Sequence, residues 1–210
     1  MALAGVADLW AKSKGGVATA LVVDHGLRPE SGAEARTVFQ RLNDRVIQAV
    51  VLERRGAPIS SDIQARARDA RYELMTQWCL AHGFLHLLLG HHREDQAETL
   101  LLRRERGSGV YGLAGMPEIR ESGAVRILRP LLSMPKARLR ATVDALGLDV
   151  IEDPSNDDIK FSRVRIRQGL KRKNQDASIA QLNSEAARMG ASRTTFECVV
   201  ANALARTCVV

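Results

Sequence analysis

The chain has 210 residues, 45% of them apolar, and a net charge of +7, which suits one domain or one domain with part of a second. No apolar run approaches the roughly 18 residues that span a membrane, and MALAGVADLWAKSKGG places its charges after its apolar stretch, the reverse of a secretory signal. Aromatic residues at 4% argue against a base-stacking single-strand binder, and three scattered cysteines, Cys79, Cys198 and Cys208, against a zinc or disulfide framework, leaving a reducing cytoplasm as the expected compartment.

In chain order, VATALVV (17–23) reads as a buried strand ending at the polar turn Asp24-His25-Gly26. Ser31 to Glu34 has capping-box spacing and opens a helix to about Asn43. VIQAVVL (46–52) is a second strand, broken by Arg54-Arg55-Gly56 and Pro58. A long helix runs from Ser61 or Asp62 to about His82, then FLHLLLG (84–90) is a third strand and DQAETLLLRRERG a third helix stopped by Gly107. This alternation predicts an α/β fold, a parallel sheet with helices on both faces. Beyond Gly107 the rhythm breaks. RGSGVYGLAGMPEI reads as Gly-rich loop, AVRILRPLL as a further strand, and MPKARLRATVDALG as a helix with Pro135 in its first turn. IEDPSNDD is a turn, and a helical tail begins near Gln175. The division expected is an α/β domain over 1–133 and, over 134–210, a basic linker with the start of a helical region.

Ligands of open parallel sheets bind outside the carboxyl ends of the strands. Asp24-His25-Gly26-Leu27-Arg28 and Gly90-His91-His92 both fall there. In GHHREDQAET (90–99), Asp95 and Glu98 share a helix face with His91 a turn earlier. Acids in a first turn also serve the helix dipole, so a purely structural role for Asp95 is an even alternative. Zinc fits poorly, because adjacent histidines diverge. Magnesium on Asp95 fits better, since it takes one or two carboxylates and binds substrate phosphates. Arg66, Arg68 and Arg71 lie on the long helix, where a surface ion-pair network with Asp69 competes with a binding role. KFSRVRIRQGLKRK (160–173) carries seven Lys or Arg and no acid. It reads as a polyanion site or a solvated basic face.

Six segments in order resemble the tRNA(Ile)-lysidine synthase family of N-type ATP pyrophosphatases. They are VDHGLRPES (23–31), QARARDARY (64–72), LGHHREDQAETLL (89–101), RGSGVYGLAGM (106–116), RILRPLL (126–132) and EDPSNDD with FSRVRIR (152–167). The resemblance implies an adenine-nucleotide-hydrolase-like fold and a cytoplasmic ligase. Its substrates would be ATP, free L-lysine and tRNA(Ile), with Mg2+ accompanying the nucleotide. ATP would adenylate the C2 carbonyl oxygen of the first-anticodon-position cytidine, and the lysine ε-amine would displace AMP. Asp95 and Glu98 would then be the catalytic carboxylates. Asp24, His25, Arg28, Arg68, Arg71, Gly90, His91, Arg106 and Gly107 would bind ATP or lysine, and Arg163, Arg165 and Arg167 would touch tRNA or phosphate.

The sequence departs from that family in one respect: it contains no S-G-G-x-D-S phosphate loop. Lys14-Gly15-Gly16 precedes a strand and reads as an ordinary turn, with residues 1–12 as the helix that follows such a loop. The expectation is a chain lacking the first, central strand and the loop, poorly stable alone and unable to bind ATP productively. Three alternatives remain: another ATP-dependent tRNA modifier such as a thiolating enzyme, a non-catalytic RNA-binding remnant, and a metal hydrolase on the His-His-Asp-Glu cluster. Sulfur transfer, tRNA binding without turnover, and stoichiometric zinc would distinguish them.

Overall fold

The computed structural model describes residues 1–56, 63–150, 162–172 and 175–207, with the side chains of Gln64, Ser162, Arg163, Lys171, Arg172, Gln175 and Asp176 outside the described set. The elements are α1 (Ala2–Ser13), β1 (Ala20–Asp24), α2 (Ser31–Asn43), β2 (Ala49–Glu53), α3 (Ile63–Ala81), β3 (His86–Leu88), α4 (Arg93–Glu105), α5 (Val110–Leu113), β4 (Ile119–Ser122), β5 (Val125–Leu128), α6 (Lys136–Ala145), α7 (Ser162–Arg172) and α8 (Gln175–Thr207). They form two compact units that interleave along the chain. The first comprises Met1–Gly90, Ile119–Leu128 and Ala137–Glu152, and the second His91–Glu118, Arg129–Lys136 and Asp153–Val210. The boundary proposed at residue 133 thus falls inside Arg129–Lys136, a segment wholly of the second unit.

In the first unit β1 pairs with β2 in parallel, from Ala20↔Ala49 to Asp24↔Glu53. Strand β3 pairs in parallel with β5, and β5 pairs antiparallel with β4. Among the described residues these ladders form two separate sheets, β1-β2 and β3-β5-β4, so each of β1 and β3 has one partner strand. Side chains alternate along β1, and each set meets a different core. Ala20 and Val22 join Leu42 of α2, Val143 of α6 and Ala2 of α1. Leu21 and Val23 join Met75 and Cys79 of α3, with Leu87 of β3, Leu89 just after that strand, and Val125 and Ile127 from β5. Helices therefore cover both faces, and α3 packs against both sheets.

Differences from the sequence reading have local causes. The first strand starts at Ala20, not residue 17, because Gly15 at φ +68 and the Gly16 N–H to Ala11 O bond still belong to the end of α1. The second starts at Ala49, not residue 46. There Val46 takes φ +57 in the turn after α2, and Ile47 turns into the core. Ser31 does not cap α2: the N-cap is Glu30, without a side-chain hydrogen bond, and Ser31 Oγ instead donates to Asp24 Oδ1 at 2.6 Å. The segment read as loop contains the short helix α5 and runs into β4. Strand β4 turns back on β5 at Gly123, whose φ of +60 suits glycine. The start of the long helix at Ser61 or Asp62 and the turn IEDPSNDD lie outside the described residues.

The second unit is helical. Ala97 and Leu100 of α4, Ile166 and Leu170 of α7, and Ile179, Leu182 and Ala186 of α8 make its core.

Candidate active site

The cluster in the first unit begins at the carboxyl end of β1, where Asp24 is the last strand residue. Its carboxylate accepts from Gly26 N at 2.9 Å and from Ser31 Oγ. A Cβ at Gly32 would stand 3.1 Å from Asp24 Oδ2, so the glycine lets α2 start close to this carboxylate. The Ser31 bond holds Asp24 below the ordinary carboxylate value, with burial opposing it and the Gly26 N–H, His25 and Arg36 supporting it. Arg28 pairs with Glu34 at 2.9 Å.

His25 is the hub of this cluster. Arg71, on α3, directs Nε to His25 Nε2 at 3.1 Å, with Nη2 2.8 Å from the same atom. Arg54 Nε donates to the His25 carbonyl at 3.2 Å. Burial, then the charges of Arg71 and Arg54, depress the His25 value, against the pull of Asp24. Two Arg71 nitrogens directed at Nε2 suit a neutral ring that accepts there, which puts the proton on Nδ1, a buried atom with no hydrogen-bond partner among the described residues. Arg71 is itself lowered, chiefly by burial. Arg68 lies over the Tyr72 ring at 5.3 Å, with Nη2 3.4 Å from the hydroxyl. The expected residues Asp24, His25 and Arg71 do come together, and Arg28 and Arg68 take neighbouring partners. Arg54, Ser31 and Tyr72 were missed. In the sequence Arg54 reads only as a strand breaker, although it follows an apolar run at a carboxyl end.

The second unit holds the other polar group. Gly90 closes the β3 segment, and α4 begins with His92 as N-cap. Asp95 Oδ2 accepts from His92 N at 2.9 Å, the reciprocal half of a capping box. His92 Nδ1 lies 3.0 Å from Glu94 Oε2 without forming a well-directed hydrogen bond, and Nε2 lies 3.5 Å from Asp95 Oδ2. Glu94 Oε2 accepts from Lys136 N at 2.9 Å. One turn on, Glu98 is only 2% exposed. Arg167 Nε donates to its Oε1 at 2.8 Å, and Nη2 stands 3.4 Å from Oε2. A buried carboxylate needs such a partner, since desolvation costs several kcal/mol. Glu98 and Arg167, assigned to different roles from sequence, are one ion pair.

The loop expected near a substrate base is fastened by α4. Arg103 Nη1 donates to Gly112 O at 2.6 Å and Gly115 O at 2.9 Å. Gln96 accepts from Met116 N at 2.7 Å and donates to Met116 O at 2.9 Å. Arg106 is the exposed C-cap of α4, followed by Gly107 at φ +67. Arg165 is exposed on α7, and the Arg163 side chain lies outside the described residues. Among the described residues no group of three or more His, Cys, Asp or Glu could hold a metal, and no helix is long and apolar enough to cross a membrane.

In the first unit the polar cluster lies at the carboxyl end of a parallel strand, the place where ligands of α/β sheets bind. The PP-loop domain family matches residues 1–174, and the chain belongs to that family. Within it, the chain is similar to proteins named tRNA(Ile)-lysidine synthase. It is 45% identical over 170 residues to that of Rhodopseudomonas palustris, covering 80% of this chain and 49% of the relative. It is 39% identical over 198 residues to that of Bradyrhizobium diazoefficiens, covering 91% and 55%. With that of Hyphomonas neptunium the identity is 44% over 177 residues, covering 81% and 47%. The chain thus spans about half the length of these curated relatives. The solved U34-tRNA thiolase NcsA of Methanococcus maripaludis, with its 4Fe-4S cluster, superposes at a TM-score of 0.71 over 90% of this chain and 68% of that one. At 15% identity it shows a shared fold.

Proposed function

We propose that the chain serves in lysidine formation, the ATP-dependent ligation of free L-lysine to C2 of the first-anticodon-position cytidine of tRNA(Ile). The carrying observation is the 45% identity over 170 residues with a protein of that name. In this reading the cytidine C2 carbonyl oxygen attacks the α-phosphorus of ATP and pyrophosphate leaves. The lysine ε-amine then adds at C2, AMP departs, and a proton passes from the amine to a base. Asp95, at the first turn of α4, is the acceptor or positioner of that amine. The Asp24, His25, Arg54 and Arg71 cluster, with Arg28 and Arg68 beside it, supports binding of the nucleotide, cations offsetting phosphate charge. Gly90, His91, Arg106 and Gly107 are assigned to the ATP or lysine side. Arg163, Arg165 and Arg167 are assigned to phosphate, of tRNA or nucleotide. The described side chains offer no three-ligand metal group, so Mg2+ would enter on the ATP phosphates with Asp95 as its protein ligand. It would supply charge neutralisation there. The compartment is the cytoplasm.

The test is transfer of labelled lysine to a tRNA(Ile) transcript, beside direct tRNA binding. With no S-G-G-x-D-S in the sequence, the expected result is tRNA binding with weak transfer that Asp95→Asn abolishes. Absence of tRNA binding overturns the reading. Robust transfer overturns the requirement for that loop. The alternative reading is a non-catalytic RNA-binding protein. In that case binding persists in Asp95→Asn and neither form turns over.

A further inference from the structure

We propose that Glu98 is a positioning residue for Arg167, and that Arg167, not Glu98, meets the ligand, by contacting phosphate. The assignment rests on the proposed function for the phosphate but on geometry for the pair. A carboxylate that handled an amine would have to reach it, yet Glu98 is 2% exposed and both its oxygens face the Arg167 guanidinium, at 2.8 and 3.4 Å. The Arg167 side chain is 31% exposed, so the member of the pair that reaches solvent is the cation. The pair is also rigidly backed. Ala97 and Leu100 flank Glu98 on α4, Ile166 precedes Arg167 on α7, and all three pack in one core with Leu170 and Ile179. A guanidinium gripped at Nε and Nη2 has its plane fixed before any ligand arrives. The side-chain entropy a surface arginine loses on gripping phosphate is then already spent. A lone solvated arginine would not be held this way.

The assignment makes a prediction whose sign is unusual. Removing a carboxylate from a protein that binds a polyanion strengthens binding by simple electrostatics. If Glu98 positions Arg167, removing its charge weakens binding instead. The 210-residue chain and its Glu98→Gln, Arg167→Lys and doubly substituted forms would be titrated with a tRNA(Ile) transcript and, separately, with ATP. Far-UV circular dichroism and thermal melting check the fold of each variant. Glu98→Gln keeps the side-chain volume and one acceptor oxygen, and Arg167→Lys keeps the charge while losing the planar fork. Each is expected to weaken the phosphate ligand by about three- to tenfold, and the double variant to lose no more than either alone. Arg167→Ala, where it folds, lowers the salt slope of tRNA binding by about one. The arm that shows the effect identifies the source of the phosphate, RNA backbone or nucleotide. Tighter or unchanged binding by Glu98→Gln in both arms, or losses that multiply in the double variant, overturn the assignment while leaving the proposed function standing. Failure of the unsubstituted chain to bind either ligand removes both.

Discussion

In the first unit the charged groups sit on a strand-end turn and on the face of α3, held by hydrogen bonds to a neutral imidazole and to backbone carbonyls. In the second they sit on successive turns of α4, backed by a three-helix core, and a buried carboxylate there pairs with an arginine. The contrast separates two ways of fixing an arginine. A turn cluster holds its cations loosely around an imidazole whose titration is depressed by burial and by their charge. A helix-mounted pair inherits its geometry from packing. The first should respond to pH and lose little stability when altered, whereas the second should respond mainly to changes in its core.

The sharpest way to break that comparison is in the core of the second unit. Leu100 is fully buried, and Leu100→Ala is expected to cost about 2–5 kcal/mol in urea denaturation. A cost near zero would mean the α4–α7–α8 core does not brace the pair. Next comes the loop fastened by α4. Gly115 has φ +64, and a Cβ there would stand 2.8 Å from Gln96 Oε1, so Gly115→Ala is expected to cost about 1–3 kcal/mol and to release Met116 from Gln96. Amide exchange at Met116 reports that release directly. In the turn cluster, Ser31→Ala removes the 2.6 Å bond to Asp24 for about 1 kcal/mol. It should also raise the Asp24 titration observed by NMR. The contribution from Asp24 is present above the ordinary carboxylate value and lost as pH falls through its lowered folded value.

The smallest effect is the most diagnostic. The folded His25 value lies below the unfolded one, so the unfolded chain binds the proton more readily. Stability is therefore full above about pH 6.5 and declines as pH drops below it. His25→Asn should flatten melting temperature over that window. An unchanged slope would place the pH response elsewhere and blur the distinction between the units.

Much of this was legible in sequence because periodicity reports burial. The bounds of α2 match the reading, and α3, α4 and α6 fall within a residue or two of theirs where described. His25 follows the apolar run that forms β1, so its place at a strand end is readable by position. What escaped depends on tertiary partners. Strand β4, IRES, has no apolar alternation and becomes a strand only by pairing with β5. The pairing of Glu98 with Arg167 joins residues 69 apart in sequence, and no local pattern announces it. Gln96 and Arg103 left a fainter signal. A glycine-rich loop exposes carbonyls that need donors, and a helix face opposite it carries an amide and a guanidinium.

The division of the sheet has a consequence on the timescale of solvent exchange. Strand β5 is laddered on both sides, by β3 and β4, and Val125 and Ile127 are almost fully buried. Its amides should keep their protons until the first unit opens as a whole. Among the described residues strand β1 is laddered by β2 alone, so the amides on its other side have no ladder partner there and should trade deuterium far sooner. One layer of the molecule thereby carries a slow and a fast clock, and the boundary between them runs along β1.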